Sequence, residues 1–249
     1  MTLITSNQNP RLKSVKRLAT RRERERSGRF AVEGEDLVLA AAQAGRAPLE
    51  GYRLAGSGIG GAGFVDVQAA ALRSVSSLGS GTRAIGVYEQ RWSEPRGPLC
   101  VYLHGVGDPG NVGAIVRSAQ AFGADCVALG PRCADPHSPK AVRASMGAIF
   151  FVSLARVQDV GELPRERVAL LADAEQELVG GDGDAAALTL LVGAERDGLP
   201  ADVVAACERS ARIPIASESL NAAMAATVAL YEVTRGRRLS PRSSRVRTS

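Results

Sequence analysis

The sequence predicts an α/β protein in which helices cover both faces of a parallel sheet, preceded by a smaller α/β unit. Beyond residue 98, short apolar runs that do not alternate with polar residues recur between segments of helical spacing. Such runs are typical of strands buried on both faces. Glycine or proline follows several of these runs, so we expect the strands to end in tight turns.

The first predicted element is a helix. Asn9 and Pro10 suit the N-cap and the first helical position, and Leu12, Val15 and Leu18 recur at helical spacing. We expect basic side chains to cover the rest of its surface: Arg11, Lys13, Lys16, Arg17, Arg21, Arg22, Arg24 and Arg26. The other elements of this part are expected as strands at 30–32, 49–54, 65–67 and 84–88, with helices at 35–44 and 68–78.

A linker is predicted at 93–98, where two prolines and a glycine interrupt regular structure. Beyond it, strands are expected at 100–103, 126–129, 150–154, 168–172, 188–192 and 211–215, and helices at 112–122, 138–145, 203–207 and 219–234. We therefore expect a small domain at 1–92, a larger one at 99–240 and a basic tail at 241–249.

The net charge of +5 is unevenly distributed. Residues 1–30 hold nine lysines and arginines against two glutamates, and residues 233–249 hold six arginines and no acid. Basic clusters of this kind favour a polyanionic partner such as RNA, although solvated tails show the same composition. Aromatic residues make up only 4% of the chain, which favours phosphate contacts over base stacking. The candidate RNA contacts are Arg11, Lys13, Lys16, Arg17, Arg21 and Arg22.

Several other classes of protein are disfavoured. No run of about 20 apolar residues could span a membrane, and the polar N-terminus does not resemble a secretory signal, so we expect a cytoplasmic protein. Four scattered cysteines and two histidines predict no metal site. The spacing of Gly58, Gly60 and Gly63 fits a dinucleotide fingerprint, but a strand rather than a helix is expected after it, so we reject nucleotide binding there.

Three predicted strands of the larger domain end in turns that carry polar residues. The first turn, after 100–103, leads into a helix that carries Asn111 and Arg117. The second, after 188–192, holds Gly193 and Glu195. The third, after 211–215, leads to Ser219, Leu220 and Asn221, where the hydroxyl and amide groups can cap a helix or hold a ligand. Because the carboxyl ends of parallel strands share one edge of the sheet, a ligand site is expected there.

Together these turns resemble, in order and spacing, the three motifs of the SpoU-type (TrmH-like) family of SPOUT RNA 2′-O-ribose methyltransferases. The resemblance covers roughly residues 99–238, and residues 5–45 resemble the substrate-binding domain that precedes the catalytic domain in many members. It implies a deep trefoil knot near the C-terminus, a small L30e-like RNA-binding domain, the cofactor S-adenosylmethionine and a homodimer. Two departures are a short segment between Pro214 and Ser219 and the pair Ala222-Ala223 after Asn221.

The resemblance also implies roles for individual residues. Arg117 would be the main catalytic residue, and Asn111, Glu195, Ser219 and Asn221 would complete the active site. The cofactor would be bound by Gly193, Ile213, Ile215, Leu220 and Asn221. A structured RNA is the expected substrate, and an N-terminal domain of this size favours 23S-type ribosomal RNA over tRNA. The alternatives are a tRNA ribose 2′-O-methyltransferase and an antibiotic-resistance rRNA methylase. A non-catalytic RNA-binding protein and a small-molecule methyltransferase are remote alternatives.

Overall fold

The computed structural model describes residues 3–61, 63–77, 81–180, 187–217 and 219–236. Residue contacts divide the chain into two units. One holds the described residues of Met1–Gln90 and Asp135–Phe150, and the other holds those of Arg91–Ala134 and Phe151–Ser243. The segment predicted as a helix at 138–145 thus groups with the N-terminal unit, while the predicted domain boundaries stay a prediction. The tail at 241–249 lies outside the described residues.

The N-terminal unit contains a four-stranded mixed sheet with the order β1-β4-β2-β3, in which only β2 and β3 pair in parallel. Its elements in chain order are α1 (Pro10–Arg17), α2 (Arg21–Ser27), β1 (Arg29–Glu33), α3 (Glu35–Gln43), β2 (Glu50–Leu54), β3 (Phe64–Val67), α4 (Ala69–Arg73) and β4 (Ala84–Glu89). The predicted strand after the glycine-rich stretch is confirmed as β3. The helix predicted at 68–78 is shorter, and residue 78 lies outside the described residues.

The predicted start of α1 is confirmed. The Asn9 side chain accepts a hydrogen bond from the Arg11 amide at 2.9 Å, and Pro10 begins the helix. The basic stretch is two helices, however, because Thr20 caps a second one: its hydroxyl accepts from the Glu23 amide.

Arg24 corrects the expectation that every basic residue of this stretch covers the surface. Its side chain is only 3% exposed and pairs with Asp135 at 2.7 Å. Its Nη1 atom also donates to the carbonyl oxygens of Leu18 and Ala19, both at 2.8 Å. The guanidinium therefore has a structural partner for most of its donors, and Arg24 is not available to RNA.

The second unit is built on a six-stranded sheet with the order β10-β8-β9-β5-β6-β7. All five strand pairs are parallel, which confirms the predicted fold class. The elements that follow β4 in the chain are β5 (Leu99–Leu103), α5 (Pro109–Ala121), β6 (Cys126–Leu129), α6 (Pro139–Ala144, in the first unit), β7 (Ser153–Arg156), β8 (Arg167–Leu170), β9 (Leu188–Val192), α7 (Ala201–Ala205), β10 (Arg209–Ala211) and α8 (Ala222–Thr234).

Several predicted boundaries in this part were wrong. The strand expected at 168–172 is Arg167–Leu170, and the helix expected at 203–207 is Ala201–Ala205. The strand expected at 150–154 starts at Ser153, because Ala148–Phe150 forms a 3₁₀ turn. The strand expected at 211–215 ends at Ala211, and the helix expected from 219 starts at Ala222. Phe150 and Val152 are buried although they precede the strand, whereas Pro214, Ile215 and Ser219 are exposed in the loop between β10 and α8. Hydrophobicity alone therefore placed these boundaries incorrectly.

The described part of the chain contains no helix long and apolar enough to cross a membrane. Within those same residues, no group of three or more histidine, cysteine or acidic side chains is arranged to hold a metal ion. All four cysteines are free thiols.

Candidate active site

A cavity of about 210 Å³ opens beside the carboxyl ends of β8 and β9 in the second unit. Four of the five predicted cofactor-binding residues line it: Gly193, Ile213, Ile215 and Leu220. Two of the predicted catalytic residues, Glu195 and Ser219, also line it. The wall is mainly apolar, with Leu170 and Leu171 contributing from the end of β8 and beyond. The cavity therefore lies at the sheet edge where the sequence predicted a ligand site.

A tight turn after β9 presents Glu195 to this cavity. Ala194 and Gly198 exchange two backbone hydrogen bonds, at 3.0 and 3.2 Å, and Gly198 has a φ of 64°. A Cβ atom on Gly193 would overlap the backbone of Gly198. The close approach requires glycine at 193, and the left-handed backbone favours glycine at 198, which gives the glycines of this motif a structural reason.

Asn221 connects the start of α8 to the start of α5. Its Oδ1 atom accepts hydrogen bonds from the amides of Ala223 and Met224, at 2.9 and 3.3 Å, so Asn221 is the N-cap of α8. With Oδ1 used in this way, Nδ2 points to Asn111 and donates to its Oδ1 atom at 3.2 Å. The capping role that the sequence allowed is thus combined with a contact inside the site.

Asn111 completes this chain of hydrogen bonds by donating from its Nδ2 atom to Oε1 of Glu195. The cap of α8 fixes the orientation of the Asn221 amide, and Asn221 in turn orients the Asn111 amide. The Nδ2 group of Asn111 therefore faces the carboxylate of Glu195. Asn111 is held at the first turn of α5 because Asp108 caps this helix, accepting from the amides of Gly110 and Asn111 at 2.6 and 3.1 Å. Asp108 was missed as a site residue, although an aspartate before proline is a recognisable N-cap signal.

Arg117 lies on the exposed side of α5, two turns beyond Asn111. No hydrogen bond or ion pair of its side chain is found within the described residues. Next to Arg117, α5 is joined to α8, because the hydroxyls of Ser118 on α5 and Thr227 on α8 lie 2.6 Å apart. The Thr227 hydroxyl also donates to the carbonyl oxygen of Ala223. The structure therefore joins Asn111, Glu195 and Asn221 directly and leaves the Arg117 guanidinium accessible.

The cavity fits the cofactor that the resemblance implies. The apolar side chains of Ile213, Ile215 and Leu220 offer a surface for a purine ring, and the adjoining turn exposes backbone amides and carbonyls. Asn221, the fifth predicted cofactor-binding residue, does not line the cavity and instead reaches it through Asn111 and Glu195.

All six predicted RNA contacts are exposed in the N-terminal unit, on α1 and α2. Arg21 pairs with Glu25 at 2.8 Å, and Arg17 lies 4.0 Å from Glu23. For Arg11, Lys13, Lys16 and Arg22, the described part of the chain offers no acidic partner within 4 Å.

Comparison with known proteins agrees with this geometry. Residues 98–231 match the profile of the SpoU rRNA Methylase family, and residues 9–54 match that of the MRM3-like substrate binding domain. An uncharacterized tRNA/rRNA methyltransferase from Synechocystis sp. is 29% identical over an alignment of 257 positions that covers 93% of each chain.

Two further proteins are similar over different lengths. The 23S rRNA (uridine(2479)-2′-O)-methyltransferase of Streptomyces viridochromogenes is 38% identical over an alignment of 142 positions that covers 52% of this chain and 50% of that protein. The crystal structure of an AdoMet-bound rRNA methyltransferase from Sinorhizobium meliloti superposes with a TM-score of 0.83 and 28% identity, covering 94% of this chain and 97% of that one. Because the first profile matches more than half of the sequence, this chain belongs to the SpoU rRNA Methylase family.

Proposed function

We propose that this SpoU-family protein is an S-adenosylmethionine-dependent RNA methyltransferase that modifies a ribose 2′-hydroxyl in 23S-type ribosomal RNA. The observation that carries this proposal is the cavity whose apolar wall adjoins Glu195 and its chain of hydrogen bonds to Asn111 and Asn221. The match to a substrate-binding domain at 9–54 and the exposed basic helices support an RNA substrate. The Streptomyces and Sinorhizobium relatives support ribosomal RNA, the 2′-oxygen and the cofactor.

The cofactor supplies a methyl group activated by attachment to a sulfonium. The residues of this chain would place the hydroxyl in line with that group. This alignment is expected to supply most of the acceleration of the transfer. Asn111 holds one carboxylate oxygen of Glu195, so the other can accept a hydrogen bond from the ribose hydroxyl. We assign Arg117 to the RNA phosphate beside that ribose, because a guanidinium stays charged, which makes it a poor base but a good phosphate ligand. Ser219 lines the same cavity and would complete the contacts around the ribose.

Transfer of radiolabelled methyl groups from S-adenosylmethionine to unmodified ribosomal RNA and tRNA tests this function. The expected result is label in ribosomal RNA that survives alkali as a dinucleotide, because a 2′-O-methyl group blocks cleavage of the neighbouring phosphodiester. Label in tRNA alone would contradict ribosomal RNA as the substrate. Alkali-labile products would contradict methylation at the 2′-oxygen. Cofactor binding without transfer to naked or ribosome-assembled RNA would favour the non-catalytic alternative.

The basic residues of α1 and α2 are expected to bind the RNA through phosphates in the cytoplasm. Replacing Lys13, Lys16 and Arg22 together by alanine should lower RNA affinity and reduce the slope of log K against log [salt] by about 3, one unit for each lost phosphate contact. Fluorescence anisotropy over a salt series measures this, with Arg73→Ala on α4 as an exposed control. An unchanged slope would mean that these residues do not contact phosphates.

We also infer that α8 forms the interface of a homodimer. Met224, Val228 and Tyr231 lie on one stripe of this helix and are 62%, 41% and 56% exposed. Exposed apolar side chains that lie next to one another mark an interaction surface more often than single ones do. The resemblance implies a homodimer, so a second copy of the chain is the expected occupant.

Replacing Met224 and Tyr231 together by glutamate should dissociate this dimer. Analytical ultracentrifugation should give twice 26.0 kDa for the wild type and 26.0 kDa for the variant at micromolar concentration. Leu39→Glu, which changes a residue that is 57% exposed on α3, should leave the dimer intact. A wild type that sediments only as a monomer would contradict the interface.

A further inference from the structure

Arg132 lies in the loop after β6 and has a backbone conformation that side chains rarely adopt. Its φ is 60°, in the left-handed region that favours glycine. Among the described residues other than glycine, only Met146 also has a positive φ. A strained backbone that a glycine would relieve suggests that the arginine side chain itself is needed at this position.

Three backbone hydrogen bonds fasten this loop to the chain that leaves β5. The Gly130 amide donates to Leu103, the Gly105 amide to Pro131, and the Ala134 amide to Val106, at 2.8, 3.0 and 2.9 Å. The direction in which Arg132 projects is therefore set by the sheet edge rather than by a free loop.

The Arg132 guanidinium is directed toward the candidate active site. One of its Nη atoms lies 3.9 Å from the point where a Cβ of Gly105 would stand, and the Ala194 Cβ lies 3.4 Å from the same point. Ala194 immediately precedes Glu195. Burial first, and then the nearby charge of Arg132, lower the pKa of His104, which agrees with a cation held at the end of β5.

This cation lacks an acidic partner in the part of the chain that the structure describes, and its side chain is exposed. Arg117 is in the same situation on α5. Arg132, beside the turn that carries Glu195, and Arg117, on the helix that carries Asn111, suit the two negatively charged phosphates that flank any internal ribose.

We propose that Arg132 binds an RNA phosphate next to the target ribose, and thereby positions the 2′-hydroxyl. This inference rests on the proposed function and adds a second phosphate contact beside the one assigned to Arg117. A guanidinium suits this task because its planar fork can bind two phosphate oxygens at once. The same chemistry would suit the carboxylate of the cofactor, so the test must measure the two ligands separately.

The test compares Arg132→Gly with Arg132→Lys and Met146→Gly. Arg132→Gly removes the cation and the backbone strain together, so its melting temperature should equal or exceed that of the wild type. Its KM for ribosomal RNA should rise about tenfold and the salt slope of RNA binding should fall by about 1, with unchanged affinity for S-adenosylmethionine. Arg132→Lys should recover part of the RNA affinity, and Met146→Gly, which relieves the same strain elsewhere, should keep wild-type kinetics.

Nuclear magnetic resonance supplies a readout that does not depend on RNA. The chain has two histidines, and the imidazole of His104 should titrate at higher pH in Arg132→Gly than in the wild type. A stable Arg132→Gly variant with wild-type KM and salt slope would overturn the proposal, as would a loss confined to cofactor affinity. If the wild type itself transfers no methyl group to RNA, the proposed function fails instead, and the two failures are thus distinguished.

Discussion

Replacing Arg117 by alanine is expected to lower kcat/KM for ribosomal RNA about 100-fold or more without destabilising the protein. The side chain is exposed and forms no hydrogen bond or ion pair within the described residues, so its removal leaves no buried group without a partner. The loss should instead come from misplacement of the ribose, since a displacement of about 1 Å can reduce a rate 100-fold.

Steady-state kinetics with the unmodified RNA measure this effect, and thermal unfolding checks the fold. Arg117→Lys keeps the charge but loses the planar fork, and should recover only part of the activity. Arg91→Ala removes an equally exposed arginine of the same unit and serves as the matched control. An Arg117→Ala variant with the wild-type rate would remove Arg117 from the catalytic residues.

Much of the second unit could be predicted because its strands are buried on both faces. The strand at Leu188–Val192 has the predicted bounds, since an uninterrupted apolar run followed by glycine leaves little freedom in its placement. The meeting of Asn111 and Glu195 follows from the same rule, because β5 and β9 are neighbours and end at one edge. The trefoil knot remains an expectation of the resemblance, since strand order does not test it.

The features that were missed depend on contacts between residues far apart in the sequence. Arg24 is part of a basic run and has the pattern of a surface residue, yet it is buried because Asp135 lies 111 residues away in the chain and beside it in the fold. Thr227 has no local signal for its contact with Ser118. The strand β10 ends at Ala211 because the next amide, that of Arg212, donates to the carbonyl oxygen of Gln176 and not to β8.

Replacing Asp135 by asparagine is expected to lower the free energy of unfolding of the N-terminal unit by about 3–5 kcal/mol. The variant leaves Arg24 buried with its charge uncompensated, since the two side chains are only 3% and 11% exposed. Urea unfolding followed by circular dichroism measures the loss. The double variant Arg24→Met/Asp135→Asn should recover part of it, because no buried charge then remains. Equal losses in the single and double variants would mean that the ion pair does not explain the stability.

The pH dependence gives a second test of the same pair. Burial by itself would raise the pKa of Asp135, but hydrogen bonds from His137 and Arg24, together with the Arg24 charge, hold that pKa well below its ordinary value. A carboxyl group with a lowered folded-state pKa stabilises fully above its unfolded pKa, and this stabilisation is lost as pH falls through the folded value. The difference between the wild type and Asp135→Asn should therefore stay constant from pH 7 down to about pH 4, and shrink only at lower pH. A difference that already fades near pH 6 would assign the effect to a histidine rather than to Asp135.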